Sequence, residues 1–297
     1  MRYRITLSYD GASFCGWQLQ PHSPSVQQCL EEALSRLTGT RVAVTGAGRT
    51  DTGVNAVNYV AHFDLDRGLP FPQPDFCYKL NAILPRSIVV QAVVPERDDF
   101  HARFDARRRF YTYFIHRRKD PFVEAYSWRC GYPGLDFGAM NRAARALLGT
   151  HDFSCFEKTG GANKTSICTV YEAYWEPYTP SHVAVMGLES GTTGSETCAT
   201  LGTIRGRGPL GRGREATVSD PVVPDSVLVP ESNYWYFRIS ADRFLRNMVR
   251  AIVGTLIEVG RGKQEEEWVA RLVTSGTRSD AGESVPGHAL FLNRVEY

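Results

Sequence analysis

The amino-acid sequence predicts an α+β protein in which one mostly antiparallel β-sheet carries helices on one face. Three observations support this fold class: short segments alternate between apolar and polar residues, amphipathic helical segments lie between them, and both halves of the chain repeat the order strand, helix, strand. We therefore expect two ferredoxin-like halves, residues 1–104 and 105–297, each a β-α-β unit and together forming one sheet. The halves differ too much in sequence to prove a duplication.

The first half begins with a strand over residues 2–10, where apolar and polar side chains alternate. Ser25 and Gln28 form a capping box, and apolar residues then recur every three or four positions until Gly39, which predicts an amphipathic helix. His62 lies inside the strand predicted over 57–63 and is expected to be a packed or edge histidine, with a catalytic role as the alternative. The remaining predicted elements of this half are strands over 41–46, 57–63 and 87–94 and a helix near 75–82.

The second half begins with an aromatic strand over residues 104–116. Asp136 then begins a helix that ends at Gly149, and a longer apolar helix is predicted over 241–259. The other predicted elements of this half are strands over 169–175, 234–239 and 289–297 and a helix over 264–274.

Residues 187–232 differ in composition from the rest of the chain. Gly, Ser, Thr and Pro dominate this segment, large apolar residues are few, and four arginines lie among the glycines. Such a segment buries too little apolar surface to offset the entropy of ordering it, so we predict a long, poorly ordered loop. Two interpretations stay open: a tolerated surface excursion, or a flexible arginine-rich arm that touches RNA backbone.

Composition excludes several functional classes. No apolar run approaches the roughly 20 residues that span a bilayer, and the N terminus lacks the apolar core of a signal peptide, so we expect a cytoplasmic protein. The seven cysteines are scattered without a Cys-x-x-Cys pair, which indicates reduced thiols. No histidine pair has metal-ligand spacing. We therefore predict no metal and no cofactor.

Positive charge is concentrated in two places, although the net charge is only +2. Residues 101–119 hold seven Lys or Arg and one Asp, interleaved with aromatic residues. This pattern suits phosphate contact beside base stacking, while a solvated face is the plainer alternative. On the helix predicted over 241–259, Arg243, Arg246 and Arg250 would share one flank, where three guanidiniums beside an apolar face need phosphate or carboxylate partners.

The segment from Gly46 to Ala56 carries the strongest functional signal in the chain. It reads Gly-Ala-Gly-Arg-Thr-Asp-Thr-Gly-Val-Asn-Ala and follows a short strand-like run. Glycines permit tight turns and close backbone approach, so the segment is expected to present Arg49 and Asp51 at a sheet edge. An ordinary turn capped by Asp51 is the alternative. The spacing fits neither a phosphate loop nor a dinucleotide fingerprint.

This segment resembles the signature Gly-Arg-Thr-Asp-x-Gly-Val of the tRNA pseudouridine synthase A (TruA) family. Thr52 and Asn55 stand where Ala and His are common, a departure that we do not expect to affect the chemistry. Members of the family also usually have a short hairpin in place of the long segment over 187–232. The resemblance extends through Tyr9-Asp10-Gly11, Gly16-Trp17-Gln18, Phe100-His101-Ala102-Arg103-Phe104, Arg109-Phe110-Tyr111-Thr112-Tyr113 and Met248-Val249-Arg250.

The resemblance implies a catalytic cleft between the halves and a role for each of several residues. Asp51 looks like the family's catalytic aspartate, Tyr111 like its stacking tyrosine, which could also remove the C5 proton, and Arg250 like the arginine that pairs with the aspartate. Arg49 resembles the residue that enters the RNA when the target base flips, and Leu290 is a weaker candidate for the pocket wall. The expected substrate-binding residues are Arg49, Tyr111, Leu290, Arg109 and Arg246.

The same resemblance implies the substrate and the assembly. The family isomerises uridine to pseudouridine at positions 38–40 of the tRNA anticodon stem-loop, uses no cofactor, and acts as a homodimer that binds tRNA across both subunits. Two other functions compete with this one. A non-catalytic RNA-binding module would not need Asp51, and a glycosidase would need a second carboxylate, which the loop around Asp51 lacks.

Overall fold

A computed structural model describes residues 1–158, 160, 165–186 and 232–297. In these residues the chain forms one sheet of ten strands and six α-helices. The strands are β1 (Arg2–Tyr9), β2 (Val44–Gly46), β3 (Asn55–Asp64), β4 (Ile88–Glu96), β5 (Arg108–His116), β6 (Trp128–Arg129), β7 (Gly149–Asp152), β8 (Ile167–Pro177), β9 (Tyr234–Ala241) and β10 (Leu290–Glu296). The helices are α1 (Val26–Thr38), α2 (Gln73–Ile83), α3 (Phe137–Ala144), α4 (Ser181–Val185), α5 (Met248–Gly260) and α6 (Glu267–Ser275).

The sheet is mixed but mostly antiparallel, which confirms the predicted α+β class. Its strand order is β4-β1-β3-β10-β5-β9-β8-β7, with β2 added to β3 and β6 added to β5. Strands β3 and β10 run parallel, with Phe291 opposite Asn55 and Leu292 opposite Ala56. The C-terminal strand therefore joins the two halves. Because the segment 46–56 leads directly into β3, it lies at this junction.

Five of the helices, α1, α2, α3, α5 and α6, pack on one face of the sheet. Helix α1 begins where the capping box predicts: the Ser25 side chain accepts a hydrogen bond from the Gln28 N–H at 3.2 Å, and Gly39 ends the helix in a left-handed conformation. Buried residues of α1, α2, α3, α5 and α6 belong to one continuous hydrophobic core with the inward residues of β1 and β5. Burial of these apolar side chains is the main stabilising contribution to the fold.

The helix predicted over 241–259 begins seven residues late. Asn247 has a left-handed backbone (φ +66°), and the Asp242 carboxylate accepts hydrogen bonds from the N–H groups of Thr169 and Arg243. A non-glycine residue with a left-handed backbone, such as Asn247, does not fit inside an α-helix. The Asp242 side chain also binds backbone N–H groups and so competes with helix formation. Arg243 and Arg246 consequently precede α5, and the prediction that they share a helical flank with Arg250 is wrong.

Other differences from the predicted elements are smaller. The strand predicted from residue 104 begins at Arg108, since the Asp105 N–H bonds back to the His101 carbonyl in a turn. Helix α3 ends at Ala144 instead of Gly149, and β6, β7 and α4 were not predicted. The long segment predicted over 187–232 lies, apart from Ser232, outside the described residues. In the part of the chain that is described, no helix has the length and apolar character needed to cross a membrane.

Candidate active site

Two buried aromatic residues, Tyr59 and Trp17, pack against the start of segment 46–56. A Cβ atom on Gly46 would lie 2.2 Å from the Tyr59 hydroxyl and 2.6 Å from the Trp17 ring, so only glycine fits there. The Tyr59 hydroxyl donates to the Gly48 carbonyl and accepts from the Gly48 N–H at 3.2 Å. Tyr59 and Trp17 are fully or almost fully buried and their rings lie 4.2 Å apart. The backbone before Asp51 is therefore fixed on a rigid platform.

The residue next to Asp51 is fixed from two directions. The hydroxyls of Thr50 and Tyr9 are 2.9 Å apart, and the Thr50 carbonyl accepts from the Trp17 N–H at 3.3 Å. Gly16 has φ +93°, and a Cβ there would lie 2.2 Å from the Thr50 carbonyl oxygen. The loop through Gly16 and Trp17 therefore clamps the backbone that carries the aspartate.

Asn55 ties the end of the segment to the C-terminal part of the chain. It is buried, its amide oxygen accepts from the Gly11 N–H at 2.8 Å, and its amide nitrogen donates to the His288 carbonyl at 2.7 Å. An Asn side chain can accept and donate in opposite directions, so it bridges two backbones. The resemblance marked this position as a departure, and the structure gives the Asn one accepted and one donated hydrogen bond across the junction.

Asp51 faces Arg250 across the junction of the halves. The Arg250 Nη1 lies 3.7 Å from the Asp51 carboxylate, and the two side chains are 22% and 28% exposed. Arg250 lies in the first turn of α5, and its Nε donates to the Val285 carbonyl at 2.6 Å. The Val285 N–H in turn donates to the Arg250 carbonyl at 3.2 Å. The structure thus brings together two predicted site residues that lie 199 positions apart in the sequence.

Tyr111 lies beside this pair in the middle of β5. It is 8% exposed, and its ring meets the edge of Phe244 with centroids 5.0 Å apart. Burial raises the pKa of the Tyr111 hydroxyl well above its ordinary value; the nearby Arg109 charge opposes this shift, and the Asp51 charge adds to it. The phenol is therefore neutral at physiological pH. Its hydroxyl has no hydrogen-bond partner within the described ranges, which leaves it free to contact a bound base.

The other predicted site residues differ in their surroundings. Leu290 is 4% exposed at the start of β10, where it pairs with Tyr113. Arg49 and Arg246 are exposed, and the side chain of neither forms a hydrogen bond or an ion pair with another described residue. Arg109 is different, because its guanidinium is engaged by backbone carbonyl groups and burial lowers its pKa.

The basic run over 101–119 separates into structural and exposed residues. The Arg108 guanidinium donates to the Ser240 hydroxyl at 2.6 and 2.9 Å on the sheet face away from Tyr111, and Arg117 donates to the Tyr132 carbonyl at 2.7 Å. Arg103 and Arg118 are exposed. Only part of this run can therefore contact a phosphate backbone.

Neither a metal site nor a disulfide is found in the part of the chain that the structure describes. No group of three or more His, Cys, Asp or Glu side chains converges there on a common point. The six cysteines in this part, Cys15, Cys29, Cys77, Cys130, Cys155 and Cys168, are free thiols. Around Asp51 the structure places the Arg250 guanidinium and the Tyr111 ring.

Sequence reasoning missed the supporting residues of the site. Phe244 and Val285 contact Tyr111 and Arg250 from connections between elements, and no periodic pattern marks them. Tyr9 had a detectable signal, since it begins the motif Tyr9-Asp10-Gly11 at the end of the first strand. His62 is buried and accepts from the Ala102 N–H at 3.1 Å, which confirms it as a packed histidine.

Comparison with known proteins identifies the family. The sequence matches the family described as tRNA pseudouridine synthase over residues 5–105 and 143–297. The chain belongs to the tRNA pseudouridine synthase family. Asp51, Arg250 and Leu290 lie inside the matched ranges, whereas Tyr111 and Arg109 fall between them. Members of this family are isomerases that convert uridine into pseudouridine, so the resemblance noted from the signature loop is confirmed.

Full-length relatives support the same assignment. The chain is 39% identical over 296 residues to a tRNA pseudouridine synthase A of Porphyromonas gingivalis, covering 100% of this chain and 97% of the relative. It is 40% identical over 297 residues to the protein of that name in Bacteroides fragilis, covering 100% and 96%. A tRNA pseudouridine synthase A of Thermoanaerobacter sp. strain X514 is 33% identical over 295 residues, covering 99% and 98%.

Proposed function

We propose that this protein isomerises uridine to pseudouridine at positions 38–40 of the tRNA anticodon stem-loop, with Asp51 as the catalytic residue. The observation that carries the proposal is the placement of Asp51: a clamped loop presents its carboxylate opposite Arg250 and beside the neutral phenol of Tyr111. The tRNA substrate is further supported by the names of the full-length relatives. The anticodon arm follows from the resemblance to the TruA family.

The reaction requires a carboxylate but no redox change. The N1–C1′ bond of uridine breaks, the uracil rotates while it stays bound, a C5–C1′ bond forms, and the proton on C5 is lost as one is gained at N1. Asp51 would act where sugar and base meet, either by attack on one of them or by removing a sugar proton. Arg250 would hold the carboxylate by a charge contact, while its bond to Val285 keeps the guanidinium in place.

Tyr111 would hold the detached uracil. Its ring is fixed by Phe244, and its hydroxyl can donate to or accept from a base edge. Because burial raises its pKa, a phenolate that takes the proton from C5 is disfavoured, and we assign Tyr111 to stacking and hydrogen bonding. Leu290, almost fully buried opposite Tyr113 on the neighbouring strand, would support the wall of the pocket.

The exposed arginines around the cleft would bind the RNA backbone. Arg49, Arg103 and Arg246 are exposed, and a stem-loop is recognised mainly by phosphate contact and shape. Arg49, two residues before Asp51, is suited to enter the space that a flipped uridine leaves in the RNA. We also propose, from the family resemblance, that the protein acts as a homodimer in the cytoplasm and binds tRNA across both subunits.

The experiment that tests this function is tritium release from unmodified tRNA labelled at uracil C5. Wild-type protein should release tritium, Asp51→Asn should release none above background, and mapping should place the product at positions 38–40. Release by both proteins would contradict the role of Asp51. If tRNA bound to both proteins without release from either, the protein would be an RNA-binding module instead of an enzyme.

A further inference from the structure

Arg109 shares a sheet face with Tyr111 but is not placed to contact RNA. The two residues are two positions apart in β5, and alternate residues of a strand point to the same face. Burial lowers the pKa of Arg109. Arg109 is partly buried, and among the described residues no carboxylate forms an ion pair with it. Its partners must therefore be found among other groups.

All five N–H groups of Arg109 are used by backbone carbonyl oxygens. The bonds are Nε to Ala47 at 3.3 Å, Nη2 to Ala47 at 2.9 Å, Nη2 to Arg103 at 2.8 Å, Nη1 to Ala106 at 3.4 Å and Nη1 to Asp242 at 2.7 Å. A guanidinium has five N–H donors in a fixed plane. None is left for a phosphate, so the structure does not support the expected contact between Arg109 and substrate.

The carbonyl groups that Arg109 gathers belong to the three segments that meet at the cleft. Ala47 lies in the loop that carries Asp51, four residues before it. Asp242 follows β9 and comes two residues before Phe244, whose ring packs on Tyr111. Arg103 and Ala106 lie in the connection between the two halves. The Arg109 side chain thus links three segments: the loop that carries Asp51, the segment from Asp242 to Phe244 that supports Tyr111, and the connection between the halves.

We propose that Arg109 is a positioning residue. By binding these carbonyl groups it holds Asp51 and Tyr111 in a fixed relative position, without contacting the substrate itself. The inference rests on the proposed function for its kinetic consequence. Its structural part, the fixation of segment 46–56, stands independently. Lysine cannot replace arginine in this role, because its three donors radiate from one nitrogen and do not form a planar fork.

The test compares Arg109→Lys with Arg108→Lys, a matched control in the next position of β5 whose guanidinium lies on the opposite face and bonds to Ser240. Both substitutions keep the positive charge. We expect kcat to fall about 100-fold in Arg109→Lys, since small misplacements of a catalytic group have effects of this size. The control should stay within about twofold of wild type, a margin well below that effect.

Two further measurements separate positioning from RNA contact. The dependence of tRNA affinity on salt should have the same slope in wild type and in an Arg109→Gln variant, whereas loss of one phosphate contact would reduce that slope by about 0.7 to 0.9. Amide hydrogen exchange in segment 46–56 should be faster in Arg109→Lys than in Arg108→Lys, because the N–H groups of Ala47 and Val54 depend on the fixed loop.

The proposal is overturned if kcat and loop exchange are unchanged, or if the salt slope falls while kcat is preserved. It is also overturned if neither Arg109 variant folds by circular dichroism, because Arg109 would then be required for stability in general. The proposed function fails by a different result: no tritium release from the wild-type protein. In that case hydrogen exchange still reports whether Arg109 fixes the loop.

Discussion

The two sides of the cleft hold their charged groups in different ways. On one side, segment 46–56 is fixed by the hydroxyls of Tyr9 and Tyr59, by Trp17 and by Arg109. On the other side, residues 242–250 present arginines with few contacts. Arg250 has one carbonyl partner besides Asp51, and the side chain of Arg246 has no partner within the described ranges.

This difference shows which group the fold makes rigid. The carboxylate is on a backbone with almost no freedom, whereas its cationic partner lies 3.7 Å away, beyond the range of a short hydrogen bond. Catalysis at a single carboxylate needs that group placed in advance. The Arg246 guanidinium, which has no partner within the described ranges, can adjust to an incoming RNA. The comparison therefore predicts different consequences for substitutions on the two sides.

The largest effect is expected at Arg250, on the side of the cleft that faces the aspartate loop. Arg250→Gln removes the positive charge that faces Asp51 and should lower kcat by about 100- to 1,000-fold, the range seen when one preorganised electrostatic partner is lost. Single-turnover tritium release measures this. Affinity for tRNA should change much less than kcat. Equal losses in kcat and affinity would show instead that Arg250 binds the RNA backbone and does not act on Asp51.

A stability effect is expected on the rigid side, at Gly46. In Gly46→Ala the new methyl group would meet Tyr59 and Trp17, which are buried and cannot move away, so the free energy of unfolding should fall by about 3 kcal/mol. Gly48→Ala is the matched control, since the nearest atom to its Cβ is Arg109 Nε at 3.8 Å. Chemical denaturation measures both variants. Equal stability of the two variants would show that Tyr59 and Trp17 can shift to accommodate the added methyl group.

The smallest effect is a pH dependence at His62, which packs under the connection between the halves. Burial, with smaller contributions from Arg2 and His101, lowers the pKa of His62 from 6.5 to about 4. The unfolded chain therefore binds a proton below pH 6.5 that the folded chain resists, and stability should fall as pH decreases from 6.5 toward 4. One such group accounts for about 2 kcal/mol at pH 5.

The variant His62→Gln should lose this part of the pH dependence while keeping an acceptor for the Ala102 N–H. Denaturant unfolding at pH 7 and pH 5 measures the difference in stability for each protein. The same decrease in both proteins would assign the pH dependence to other groups and would leave His62 with only its packing and its hydrogen bond to Ala102.

Much of the fold could be predicted because local patterns determine local structure. The capping box at Ser25 and the glycine at position 39 define α1 to within a residue, and alternation defines β1. The prediction failed before α5, where Asp242 and Asn247 stop the helix. Their effect depends on partners such as Thr169, which lies 73 residues earlier in the chain.

The sequence alone determined the fold class, the signature loop and the family to which the chain belongs, because these depend on periodicity and on a long, rare motif. Only the tertiary structure decided which partners each arginine of the site has. Arg109, Arg246 and Arg250 look alike in the sequence, yet carbonyl groups saturate the first, the second has no side-chain partner among the described residues, and the third faces Asp51. Such differences arise from contacts between residues far apart in the chain, and no local pattern encodes them.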